Sequence, residues 1–139
     1  MSDGKYRIEA LTLPVADVDR SKDFYLQAGW TLDLDVTPTP GMRVVQFTPP
    51  GSAASIIFGT GMPQAEPGSY LNTYLVVTDI EAAHADLKDR GVPVEDIYHW
   101  TAGGQTPGVD PERGDYGSYS GFADPDGNRW LIQEVPSRG

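Results

Sequence analysis

The spacing of apolar positions divides the chain into short strands and two amphipathic helices, and the same order occurs twice. Val18, Phe24, Tyr25 and Ala28 fall on one face of a helix expected over 18–28. Ile80, Ala83 and Leu87, flanked by Ala82 and Ala85, do the same over 80–90. Strands are expected near 6–14, 31–36, 43–48 and 54–59, and again near 71–77, 94–100, 117–123 and 129–134. Each helix is preceded by an Asp suited to an N-cap, Asp17 or Asp79, and followed by a glycine, Gly29 or Gly91, suited to the left-handed residue beyond the last turn.

The two halves are an imperfect repeat. Leu13–Gly29 aligns with Leu75–Gly91 at a constant offset of 62, with Leu13/Leu75, Val15/Val77, Asp17/Asp79 and Gly29/Gly91 identical. Phe47–Phe58 resembles Phe122–Gln133 more loosely, and both read strand, tight turn, strand. In the second copy the turn is Asp124-Pro125-Asp126-Gly127-Asn128, where Pro presets φ and Gly accepts a positive φ.

The organisation expected is therefore α+β, with two βαβββ modules over 1–60 and 70–139 joined by a Gly/Pro-rich linker at 61–69. The second module contains an excursion without periodicity, 101–115, where the first has only Thr37–Met42. A stretch of that length in a small domain suggests a lid or binding loop.

Composition narrows the function classes. The chain has 139 residues, no cysteine and a net charge of −10. Residues 1–69 carry five basic and eight acidic side chains, and residues 70–139 carry five and twelve. That field disfavours nucleic acid and anionic membranes and favours cations. Without cysteine there is no disulfide, thiolate chemistry or Cys-based zinc site. With no apolar run of about 20 residues and no signal-like start, a cytoplasmic location is expected.

Paired modules of this order, with Val-x-Asp before each helix and Asp-Pro-Asp-Gly-Asn before the last strand, resemble the vicinal oxygen chelate superfamily, which includes glyoxalase I, extradiol dioxygenases and bleomycin-resistance proteins. Val44–Ser52, Ser55–Gly61 and Trp130–Glu134 look like a bacterial branch labelled glyoxalase/bleomycin resistance. The resemblance implies that each module curls into a half-barrel, that the two half-barrels face one another around a cavity, and that the chain forms a homodimer.

It also implies where a divalent metal would be held. Two such positions lie seven residues before the Asp of Val-x-Asp, at Ala10 and Asn72. Another lies seven residues after Asp124, at Leu131, and its first-module counterpart falls near Ile56–Phe58. Such a centre needs three or four converging imidazole, carboxylate or amide ligands. These positions offer one amide, so no metal and no cofactor are expected.

Strand parity places Thr12, Asn72, Tyr74 and Gln133 on the cavity side, with Ala10 and Leu131 as apolar wall. Either His99 or Trp100 should reach in from the next strand, and Tyr116 and Tyr119 border the long loop. His84 is expected to face solvent. These residues define a mostly apolar pocket with a few polar anchors, suited to a small organic molecule, antibiotic-like or cationic. The alternative is a glyoxalase-like lyase or isomerase, or a dioxygenase-related enzyme, with His99 as acid/base and with or without a non-standard metal.

Overall fold

A computed structural model describes residues 4–139, which form two compact units meeting at Pro67 and Gly68. The first contains β1 (Ala10–Thr12), α1 (Val18–Gln27), β2 (Thr31–Thr39), β3 (Met42–Thr48) and β4 (Ser55–Thr60). Its sheet has the order β1-β4-β3-β2, with β1 parallel to β4 and the remaining pairs antiparallel. The second contains β5 (Thr73–Val77), α2 (Ile80–Asp89), β6 (Tyr98–Thr101), β7 (Gly104–Pro107), β8 (Ser118–Ala123) and β9 (Arg129–Glu134), in the order β5-β9-β8-β6-β7. Both sheets are open. Each unit is an α+β half-barrel module with one helix on one face of the sheet.

The helix ends follow from the local sequence. The Asp17 carboxylate accepts from the Arg20 amide at 3.1 Å, and Asp79 accepts from Ala82 at 3.2 Å, satisfying one orphan N–H in each first turn. Beyond the last turns, Gly29 and Gly91 adopt φ of 86° and 81°, and the next amides, Trp30 and Val92, donate back to Tyr25 and Leu87.

Strand alternation then separates two faces. In the first unit Val45, Phe47, Ile56 and Phe58 are buried on the helix side, around a fully buried Tyr25 whose ring lies 5.0–6.0 Å from Trp30, Phe47 and Phe58. In the second unit Phe122, Trp130 and Ile132 play that part beneath Ile80 and Leu87. Fully burying one such side chain is worth about 1.5–3 kcal/mol, so these clusters fix the strand registers.

The Asp124–Asn128 turn is braced internally. Asp124 Oδ1 accepts from the amides of Asp126 and Asn128, Oδ2 accepts from Asn128 Nδ2, and Gly127 takes φ 98°. Asn128 Oδ1 accepts from the Tyr70 amide, which ties the turn to the approach to β5.

Three expectations need correction. First, only Ala10–Thr12 of the segment 6–14 pairs as a strand; Tyr6 and Ile8 are 94% and 73% exposed. Second, 101–115 is not irregular throughout: Trp100↔Gln105 and Thr101↔Gly104 close a β6–β7 hairpin. The second module therefore has one strand more than βαβββ. Third, His84 is half-buried, and its Nε2 is shielded from solvent without a hydrogen-bond partner, because 80, 84 and 87 share the core stripe of α2. No helix among the described residues is long and apolar enough to cross a membrane.

Candidate functional site

Each sheet has one face covered by its helix and one left open, and the open faces carry most of the residues singled out from sequence. In the second unit, cross-strand pairing sets Tyr74 beside Leu131, Val76 beside Gln133, Gln133 beside Tyr119, and Tyr119 beside Tyr98. Directly paired residues project to the same side. Trp100, two residues beyond Tyr98, joins them.

Aromatic side chains dominate this face. The Tyr98 and Tyr119 rings stack at 5.6 Å, and Trp100 meets Tyr98 edge-on at 5.9 Å. Tyr74 and Trp100 are 58% and 59% exposed. Asp96, Ile97, Tyr98, Gln105 and Pro107 line a depression of about 240 Å³ at the hairpin end. Tyr119 is held by its hydroxyl, which donates to the Tyr116 carbonyl at 2.6 Å.

The polar part of the same face is an ion pair. Arg129 Nε donates to Glu95 Oε2 at 2.9 Å, its Nη2 reaches Oε1, and its Nη1 donates to Asn72 Oδ1 at 2.6 Å. A Cβ on Gly121 would lie 3.0 Å from Arg129 Nη2, so the guanidinium extends across that glycine. The hydrogen bond from Arg129 to Glu95 is the main reason its pKa is raised further. Asn72 thus has its carbonyl oxygen engaged by a cation.

His99 lies on the other side of the sheet. It pairs with the fully buried Ser118, is itself only 8% exposed, and its Nδ1–H donates to the Gly108 carbonyl at 2.8 Å. Of the two adjacent candidates it is Trp100, not His99, that shares a face with Tyr74 and Gln133. Tyr116 is separate again. Its backbone has φ 61°, its hydroxyl accepts from Arg138 Nη2 at 2.9 Å, and its ring lies 6.0 Å from that guanidinium, so it is bound to the C-terminal turn.

Thr12 lies in the first unit, on its open face, beside Ile57. Across from Ile57 is Gln46, paired in turn with Leu34. A β-bulge between Leu32 and Leu34 frees Asp33 from the pairing. Asp33 Oδ2 accepts from Gln46 Nε2 at 3.1 Å and from Thr48 Oγ1 at 2.5 Å, and Ser55 Oγ lies 2.6 Å from Thr48 Oγ1. Because the Thr48 proton goes to Asp33, the Ser55 hydroxyl donates to Thr48.

The sequence reading missed Asp33, Glu95, Tyr98 and Arg129 as members of the open faces. The 62-residue offset pairs Asp33 with Glu95, and the parity of Trp100 implies Tyr98, so both signals were present.

The positions at which the fold holds a divalent metal do not fit one here. Ala10 and Leu131 have no donor atom, the first-module counterpart on the open face of β4 is Ile57, and the Asn72 oxygen is taken by Arg129. Among the described residues no three His, Asp or Glu side chains come together in a metal-binding group.

These two open-faced modules belong to a recognised family. The chain is a member of the glyoxalase/bleomycin resistance protein/dioxygenase superfamily, whose family profile matches residues 7–132. Among solved structures it is similar to TnmS3, described as an antibiotic binding protein, from Streptomyces sp. CB03234, with 28% identity and a TM-score of 0.71 over 96% of this chain and 99% of that one. It is also similar to a glyoxalase/bleomycin resistance protein from the same organism, with 29% identity and a TM-score of 0.67 over 92% and 100% of the two chains. A superfamily member from Sphaerobacter thermophilus DSM 20745 matches with 27% identity and a TM-score of 0.69 over 94% and 98%. No curated protein sequence matches the chain significantly.

Proposed function

We propose that this protein binds a small, antibiotic-like organic molecule, without the divalent metal used by the family's enzymes. The observation that carries the reading is the exposed aromatic surface of the second unit: Tyr74 and Trp100, both more than half exposed, beside the Tyr98–Tyr119 stack. Solvated aromatic side chains held rigid by stacking supply large contact area at little entropic cost when a ligand covers them. Gln133, between Val76 and Tyr119, adds a neutral hydrogen-bonding group. The description of TnmS3 as antibiotic-binding points the same way.

A homodimer is part of the same reading. β1 and β5 are edge strands, and Tyr6, Ile8 and Leu71 beside them are exposed, as suits surfaces that a second copy covers. Sedimentation showing a monomer at micromolar concentration would remove that element.

The binding test is a titration of the protein against a panel of aromatic antibiotics, read by tryptophan fluorescence. Binding to at least one member is expected, weakened roughly tenfold or more, equivalent to about 1.4 kcal/mol, by Trp100→Ala or Tyr98→Ala. Binding that ignores both substitutions, or no binding by any member, sinks the proposal.

A further inference from the structure

The two modules carry a carboxylate at the same place on their open faces, and they satisfy it differently. Leu32 pairs with Phe47 and Val94 bridges to Phe122, so Asp33 and Glu95, the next residues, occupy equivalent positions. On the last strand, Phe47↔Ile56 matches Phe122↔Trp130, which makes Ser55 the counterpart of Arg129. Ala10, paired with Ser55, is the counterpart of Asn72.

In the second module these three positions form a closed set: the Arg129 guanidinium grips Glu95 and also reaches Asn72. In the first module the cation is replaced by a hydroxyl. Ser55 donates to Thr48, and Thr48 and Gln46 both donate to one oxygen, Asp33 Oδ2. Oδ1 has no partner among the described residues, and no cationic side chain there pairs with Asp33. The other carboxylate of β2 is neutralised: Asp35 pairs with Lys22 and Arg43, and Arg43 also pairs with Asp19 of α1.

Two neutral donors orient the Asp33 carboxylate without cancelling its charge. Around it the open face offers Leu34 and Val36, both more than a third exposed, with Ile57 beyond Gln46. A fixed, unneutralised carboxylate beside apolar surface recognises an organic cation: the charged nitrogen donates to the free oxygen while the hydrocarbon covers the aliphatic side chains.

We infer that Asp33 is a recognition point for a protonated amine or amidine on an organic ligand, taking from the ligand the cation that Arg129 supplies to Glu95 within the second module. The inference rests on the reading that the open faces are ligand-binding faces, and it specifies the ligand's charge.

The test uses the full chain and two probes of similar shape, benzylammonium and benzyl alcohol, followed by NMR at the Gln46 side-chain amide and the Trp100 indole N–H. Benzylammonium should shift the Gln46 amide saturably, and benzyl alcohol should not. Asp33→Asn should weaken the benzylammonium response at least about tenfold, as loss of a charge-assisted bond implies, whereas Asp23→Asn, an equal change of net charge, should leave it intact. A silent Gln46, a response that survives Asp33→Asn, or one lost equally in Asp23→Asn overturns the inference. If Trp100 responds to the probes and Gln46 does not, the aromatic binding face stands and only the cation site falls. If Gln46 alone responds, the cation site stands and the aromatic face falls.

Discussion

Arg113 grips the fully buried carboxylate of Glu134, with Nε donating to Oε1 at 2.9 Å and Nη2 to Oε2. The same carboxylate accepts from the Ile80 amide at the start of α2, and Arg113 also bonds Glu81. One arginine from the long excursion thus joins the last strand to the N-terminus of the helix. Arg113 holds φ 49°, a left-handed conformation unusual outside glycine, which this set of contacts stabilises. Arg113→Ala would leave the buried Glu134 carboxylate without its partner and should lower stability, measured by urea unfolding. Arg113→Ala combined with Glu134→Gln should recover part of that loss; a double variant as unstable as the sum of the two single ones would show that the pair is not coupled.

Stability should fall steeply in acid. The hydrogen bonds from Arg113 hold the Glu134 carboxyl below the usual carboxylate range, and those from Arg43 and Lys22 hold Asp35 well below it. A folded-state pKa lower than the unfolded one means that each group contributes stability above its unfolded pKa, near 4, and loses it as the pH falls toward the folded value. Asp35→Asn should therefore cost about 1 kcal/mol at neutral pH and flatten the acid limb below about pH 4. Thermal unfolding between neutral pH and pH 2 checks this, and an unchanged acid limb in the variant would count against it.

His99→Ala and Trp100→Ala should separate stability from binding. His99 is buried and bonded to Gly108, so its removal should cost about 1 kcal/mol of stability and change ligand binding less than twofold. Trp100 is 59% exposed, so its removal should change stability by less than about 0.5 kcal/mol while ligand binding weakens roughly tenfold or more. Acid/base catalysis by His99 would reverse this order in an activity assay.

The segment 108–117 should resist hydrogen exchange without any ligand. Its amides are engaged: Asp110 with Ser118 Oγ, Glu112 and Gly114 with the Asp110 carboxylate, Arg113 with the Asp110 carbonyl, and Tyr116 with the Glu134 carbonyl. Those two carboxylate contacts also lower the pKa of Asp110. Ala102, at the exposed tip of the β6–β7 hairpin, should exchange fast. Asp110→Ala should open 110–117; uniformly fast exchange from 101 to 117 in the parent protein would show that these bonds do not persist in solution.

Much of the fold was legible because it rests on local signals. Asp17 and Asp79 cap, Gly29 and Gly91 terminate, and Asp124–Asn128 turns, each through bonds within a few residues. β7 was not legible. Gly104-Gln-Thr-Pro107 has neither alternation nor apolar content, and it is a strand only because β6 offers it an edge. The open faces were half legible. Parity places Tyr74 and Gln133 together, but Asp33 and Glu95 read as ordinary solvated carboxylates until their partners, Gln46, Thr48 and Arg129, are brought across from distant strands. Parity alone also leaves His99 and Trp100 undecided; the burial of Ser118 and the carbonyl of Gly108 place His99 on the helix side.

The added strand β7 has a consequence for the behaviour of the chain at high concentration. An outermost strand invites strands of other molecules to pair with it, the usual start of fibrous aggregation. Here the outermost strand of the second sheet is four residues long, begins at a glycine with φ 103° and ends at Pro107, which has no N–H to offer. At the far side of the first sheet, β2 interrupts its own edge with Pro38 and two register shifts. At these two margins the half-barrels remain open, yet neither presents a regular row of donors and acceptors on which a fibril could grow.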